Sequence, residues 1–238
     1  MSKNQTKNNK PNSSMKFTVI LTLLVIAALT FLVIYSNNKP DTDQDIAFEH
    51  EVSLEGQPIL GRNPEAPVTI IEFGDFKCPA CKNWGETIFP QLQKDFIEPG
   101  DVKFSFVNVL FHGEESAIAS TAAEAIYKQN PEQYWDFHEM LYASQPEAEN
   151  HDEPSVTVEK MVELASSVPS INVEQFQEDL QSDTIKEAVM KDTQLVEDLD
   201  IQFTPSIMVN NVMLEDPFDY EKIKSLIEEA LKENENGK

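Results

Sequence analysis

Cysteine is almost missing from this chain. Two occur among 238 residues, Cys78 and Cys81, and there is no third. That leaves a zinc site short of its four ligands, since the four histidines, His50, His112, His138 and His151, are scattered. Basic residues are also scarce: 18 Lys and Arg stand against 42 Asp and Glu, for a net charge of −24. Such a surface offers no basic groove for nucleic acid, and anionic lipid would repel it. The acidic surplus would allow a structural Ca2+ ion. The stretch "DTDQD" at 41–45, however, lacks the glycine and distal glutamate of an EF-hand loop. Internal repeats are absent, and low-complexity sequence is confined to the termini.

The N-terminus lacks acid altogether. Residues 1–16 carry four lysines (Lys3, Lys7, Lys10, Lys16), and residues 17–35, "FTVILTLLVIAALTFLVIY", carry no charge. Nineteen residues at ~1.5 Å each span about 28 Å, close to the ~30 Å hydrocarbon core. A secretory h-region is shorter, about 7–15 residues. No small-x-small cleavage site follows, and no cysteine offers a lipid attachment point. The expectation is a transmembrane signal anchor at 17–35, with the basic tail 1–16 cytoplasmic by the positive-inside rule. The protein is then a single-pass protein of the cell membrane with its main domain extracytoplasmic, and the anchor is its membrane contact. The outer part holds 14 of the 18 basic residues and all 42 acidic ones, a charge that keeps an exported domain soluble. Residues 36–56, "SNNKPDTDQDIAFEHEVSLEG", are polar and read as a linker.

Residues 57–238 are long enough for one domain with an insertion. "QPILG" (57–61) reads as a short strand. "VTIIEF" (68–73) is an apolar run broken only by Glu72, as a buried central strand would be. In "CKNWGETIFPQLQKDFIE", Trp84, Ile88, Leu92 and Phe96 fall four apart, which predicts a helix kinked at Pro90. "DVKFSFVNVLF" (101–111) alternates like a strand. From Glu114 to about Leu199 no strand candidate exists, and four or five helices follow one another. "PSIMVN" and "NVML" then predict a hairpin through Asn210-Asn211, and "FDYEKIKSLIEEALKEN" a closing helix with Ile223, Leu226, Ile227 and Leu231 on one face. A strand, a helix and a parallel strand form a right-handed unit. The hairpin completes its sheet, and the helical block becomes an insertion.

The cysteines sit in "IEFGDFKCPACKNW" (71–84), just after the apolar strand. With Cys78 as N-cap, Pro79 falls at the first helical position, where its fixed φ fits and its missing N–H costs nothing. Cys81 is then N3, whose side chain lies beside that of the N-cap, within the Cα separation of 4.4–6.8 Å that a disulfide allows. The orphan N–H groups and positive dipole of the helix start favour a thiolate at Cys78, and Lys77 adds a nearby positive charge. Cys81, one turn inside, is the more shielded. An outer nucleophile with an inner resolving thiol is what disulfide exchange requires. A purely structural disulfide would close a very short loop and stabilise little, and two unpaired core thiols do not suit an oxidising compartment.

The CPAC stretch, the helical insertion and "FTPSIMVNN" (203–211) together resemble the DsbA family of thiol–disulfide oxidoreductases, in particular its membrane-anchored Gram-positive BdbD branch. The likeness runs from about Pro58 to the last helix. It implies an α/β thioredoxin fold at 57–112 and 196–238, interrupted by an all-helical insertion at 113–195. It also implies oxidation of thiols in freshly exported proteins by a Cys78–Cys81 disulfide with no further cofactor and no metal, and re-oxidation by a DsbB-like quinone-linked membrane oxidoreductase. Glu72 falls where the family places a buried acid that exchanges protons with the thiols. Thr204-Pro205 matches its cis-proline loop, which holds the substrate backbone. One departure is Ala80, where well-known members place histidine between the proline and the second cysteine. Trp135 and His138 read as packing residues. A reductase or isomerase on the same fold, or a chaperone-like binding module, are the competing functions. An isomerase would want a dimerisation domain, for which the chain leaves no room.

Overall fold

The apolar run expected as a central strand lies in the middle of the sheet. In the computed structural model, which describes residues 21, 23, 26, 30, 45–146 and 154–236, Val68–Gly74 (β3) is buried along nearly its whole length. It pairs in parallel with Val102–Asn108 (β4), Glu72 opposite Phe106. Its other edge pairs antiparallel with Ser206–Val209 (β5). That strand turns through Asn210, at a φ of 53°, into Val212–Met213 (β6), as the Asn-Asn hairpin predicts. Ile46–Ala47 (β1) and Ile59–Leu60 (β2) close the two edges, giving the order β1-β6-β5-β3-β4-β2.

Strand β1 is a correction to the linker at 36–56. Ile46 and Ala47 lie against Met213 and Val212, and Phe48 N–H donates to Asn211 O at 2.8 Å. Polar composition concealed it, because a two-residue edge strand borrows its hydrogen bonds from a partner more than 160 residues away. Asp45, the described end of "DTDQD", forms an ion pair with Lys222 at 2.8 Å.

Pro79–Thr87 (α1) follows β3, and Phe89–Leu92 (α2) continues it after a break at Ile88. A π-turn at Gln93–Ile97 ends the element. Pro90, lacking an N–H, accounts for the break. Trp84, Ile88, Leu92 and Phe96 are all buried. They pack with Phe104 and with Ile223 and Ile227 of the closing helix Tyr220–Asn236 (α8). Trp84 Nε1–H also donates to Pro217 O at 2.8 Å, so truncating Trp84 would cost about 3–5 kcal/mol.

The helical block comprises Glu114–Gln129 (α3), Tyr134–Ala143 (α4), Val158–Ala165 (α5), Val173–Asp179 (α6) and Asp183–Asp198 (α7). The last of these runs unbroken across the boundary expected at 195/196. Thr157, Asn172 and Ser182 cap α5, α6 and α7 through their side-chain oxygens. The block docks on the sheet through Phe106 and Phe76, which share a core with Ile126, Phe137 and Phe176. Gly74 makes this possible, since a Cβ there would lie 2.3 Å from the Phe106 ring.

Residues 45–238 form one compact unit and 1–44 another. Within the second, Leu21, Leu23, Ile26 and Thr30 are helical, and Thr30 Oγ1 donates to Ile26 O at 2.9 Å. The rest of the expected anchor, the basic tail and residues 36–44 of the linker lie outside the described residues. Among those described, no helix is long and apolar enough to cross a membrane.

Candidate active site

Cys78 is the N-cap of α1, in extended conformation, with Pro79 at the first helical position. Both cysteines are unbridged. Cys78 remains 6% exposed while Cys81 is fully covered, so a client can reach only the first sulfur. The Thr204–Pro205 peptide is cis, and the Thr204 carbonyl accepts from Cys78 Sγ at 3.5 Å. The loop before β5 thus arrives beside the thiol, although 126 residues separate the two in sequence.

The Cys78 pKa falls from an ordinary 9.0 to about 5. A hydrogen bond from Cys81 is the main cause. Burial opposes it, and the Thr204 side chain and the N–H groups of Cys81 and Ala80 add to the lowering. Cys81 is pushed the other way, first by burial, then by its bond to Cys78 and by the charges of Glu72 and Cys78, against a weaker contact from the Asp75 backbone. The two sulfurs, identical in sequence terms, become one thiolate and one firmly protonated thiol.

Glu72 is buried on β3. Its pKa is raised by burial and then by the negative charge of Cys78, so it holds a proton well above the ordinary carboxylate range. It borders a cavity of about 470 Å³ between α1–α2 and α4, also lined by Gly85, Phe89, Trp135, His138 and Tyr142. Glu72 Oε1, His138 Nε2 and the Tyr142 hydroxyl have no hydrogen-bond partner among the described residues. His138 is neutral, its pKa lowered to about 3 by burial within a ring of Phe76, Phe106, Tyr134, Trp135 and Tyr142.

Lys77 does not act as expected. Its ammonium binds Glu115, at 3.1 Å, and Ser155, at 2.9 Å, and Glu115 also accepts the N–H groups of Ser155 and Val156. A buried cation seeks a carboxylate, and this one is supplied by α3. The lowering of Cys78 comes from hydrogen-bond donors instead.

Several residues that shape the site escaped sequence reasoning. Gln145, after α4, donates to the carbonyls of Phe76 and Cys78 at 2.7 and 3.3 Å. Asp75, fully buried, accepts from Lys77 N–H, His112 N–H and Ser116 Oγ, with His112 Nδ1 at 2.8 Å. The available signal was position: Asp75 and His112 both follow the carboxyl ends of neighbouring parallel strands, where sites in α/β sheets collect. Among the described residues, no group of three or more His, Cys, Asp or Glu is arranged to hold a metal ion.

This geometry has known counterparts. A thioredoxin family model matches residues 53–229. Disulfide bond formation protein D of Bacillus subtilis strain 168 is 46% identical over 82% of this chain and 86% of its own length. The probable disulfide bond formation protein D of Bacillus anthracis is 37% identical over 90% of this chain and 93% of its own. The chain belongs to the disulfide bond formation protein D family. The crystal structure of oxidised BdbD from B. subtilis superposes with a TM-score of 0.73 at 45% identity, over 78% of this chain and 98% of that one. As in that family, the fold is a thioredoxin-like α/β fold with added helices, and the chain is a thiol–disulfide oxidoreductase whose two cysteines form its CxxC pair.

Proposed function

We propose that the protein introduces disulfide bonds into secreted or surface proteins. The observation that carries this reading is the opposed pair of sulfurs, an accessible thiolate-forming Cys78 and a covered, protonated Cys81. In the oxidised protein, a client thiolate attacks Cys78 Sγ and Cys81 leaves. The client's second thiolate then attacks the client sulfur of the mixed disulfide, and Cys78 departs as the stabilised thiolate. Two electrons pass from the client to the Cys78–Cys81 pair, Cys81 takes up one proton, and the second goes to solvent. Glu72 supplies the proton for Cys81 and is recharged through its cavity, whose unpartnered polar atoms suit water. Thr204-Pro205 offers main chain to the client, flanked by Phe203, which is 49% exposed. No cofactor beyond the thiol pair is needed.

A low Cys78 pKa stabilises the dithiol form and makes the disulfide form the stronger oxidant. The oxidase reading therefore takes precedence over a reductase. The deciding measurement is the reduction potential against glutathione, together with oxidation of a reduced peptide. A potential below that of glutathione, with no peptide oxidation, would move the protein to the reductase class.

The location proposed from the N-terminal sequence is the outer face of the cell membrane, held by a single-pass anchor at 17–35. A DsbB-like quinone-linked membrane oxidoreductase would restore the disulfide. Protease added to intact protoplasts should digest the domain, and protection would refute this topology.

A further inference from the structure

One residue touches both cysteines through its main chain. Asp75 N–H lies 3.5 Å from Cys81 Sγ, and the Asp75 carbonyl accepts the Cys78 N–H at 2.9 Å. Its carboxylate is completely covered and binds three segments: Lys77 N–H at 2.8 Å in the active-site loop, the His112 N–H at 3.1 Å after β4, and Ser116 Oγ at 2.9 Å in the first turn of α3. A buried charge needs a counter-charge. The ion pair it forms is with His112, whose Nδ1 stands 2.8 Å from Oδ2 while the ring stays about one-third exposed. Since Oδ2 only accepts, Nδ1 carries hydrogen in either state, and Nε2 is the nitrogen left to gain or lose a proton.

We propose that His112 is a positioning residue of the dithiol reaction: through Asp75 it shapes the Cys78 loop and, when protonated, neutralises a carboxylate next to the reacting sulfurs. The proposal rests on Cys78 being the low-pKa thiolate. In client oxidation the disulfide accepts two electrons and one proton, ending as Cys78 thiolate and Cys81 thiol. An Asp75 carboxylate facing neutral His112 opposes that thiolate, and one paired with imidazolium does not. Among the described residues, the other charged or titratable groups around this centre are the Lys77–Glu115 pair, Glu72, Cys81, and Tyr142, which feels Asp75 from α4. Lys77 pairs with Glu115, and burial raises the pKa of Glu72, Cys81 and Tyr142, whereas His112 touches the Asp75 carboxylate directly.

The test follows the Cys78 thiolate by ultraviolet absorbance against pH, with the reduction potential measured alongside, in the full chain and in His112→Asn and His112→Ala. Asparagine keeps a donor near the position of Nδ1 but no charge; alanine loses both. Both variants should raise the Cys78 titration midpoint, weakening the thiolate by about three- to tenfold. Both should make the pair less oxidising, and asparagine alone should preserve melting behaviour. Should both variants titrate like the parent and differ only in melting temperature, His112 is merely a loop anchor and the proposal fails. Should the parent itself show no thiolate below neutral pH, the failure belongs to the Cys78 reading instead.

Discussion

Burial raises the pKa at two acid sites of this protein, but their neighbours act in opposite directions. At the start of α1, Cys78 meets donors: Cys81, the Thr204 side chain and two helical N–H groups. At the carboxyl end of β4, Glu124 of α3 meets another acid, Asp192 of α7, across Asn108. Asn108 Nδ2 donates to both carboxylates, at 2.9 and 2.6 Å, and Gln57 also donates to Asp192. Burial and the charge of Asp192 push Glu124 up to about 8, against the Asn108 bond, and Asp192 is raised too. Donors that converge on an acid lower its pKa, and a neighbouring carboxylate raises it. The first arrangement makes a reactive anion. The second stores a proton at the seam between the helical block and the sheet.

The comparison breaks most visibly if the two sulfurs are exchanged in role. Cys78→Ser should abolish peptide oxidation, a loss of at least about a thousandfold. Cys81→Ser should instead accumulate mixed disulfides with clients on non-reducing gels. The opposite pattern would invert the assignment.

At the seam, a raised carboxyl pKa contributes stability at low pH that is lost as pH climbs from the unfolded value of about 4.5 towards the folded value of about 8. Urea denaturation of the oxidised protein, which carries no Cys78 thiol, in buffer without divalent cations should show a loss of about 3 kcal/mol between pH 5 and 8. Glu124→Gln should flatten that slope.

At the thiol site the sign reverses. The Cys78 pKa is depressed, so the dithiol form gains stability above pH 5, increasing until the unfolded thiol would also ionise near 9. At pH 7 the reduced protein should be more stable than the oxidised one by roughly 2 kcal/mol, raising the potential by about 40 mV. Thermal unfolding of both forms checks this, and the contribution should vanish as pH falls below 5.

Smaller effects sharpen the contrast. Glu72→Gln should slow the steps that protonate Cys81 by about tenfold, seen in stopped-flow reaction with a peptide dithiol. Lys77→Met should leave the Cys78 titration within about twofold, because that ammonium is engaged by Glu115. A large upward shift would restore Lys77 as a partner of the thiolate.

Much of this protein was legible in order of residues. The β3–α1–β4 unit, the helical run after Glu114, the Asn-Asn hairpin and the N-cap position of Cys78 all rest on local periodicity and capping chemistry, which act within a few residues. The anchor proposed at 17–35 rests on composition alone. Strand β1 was not legible, because pairing with β6 rather than its own residues makes it a strand.

Residue type and spacing by themselves determined that two thiols share one helix start and that the first is the more reactive. Tertiary structure decided how far their pKa values separate, because the separation depends on burial and on Thr204, brought from 126 residues away. It also decided that Lys77 serves Glu115 and that Asp75 is held by His112. Charge finds partners through space, over distances that sequence separation does not encode. Helix capping works along the chain, so the thiol pair announced itself while its electrostatic surroundings did not.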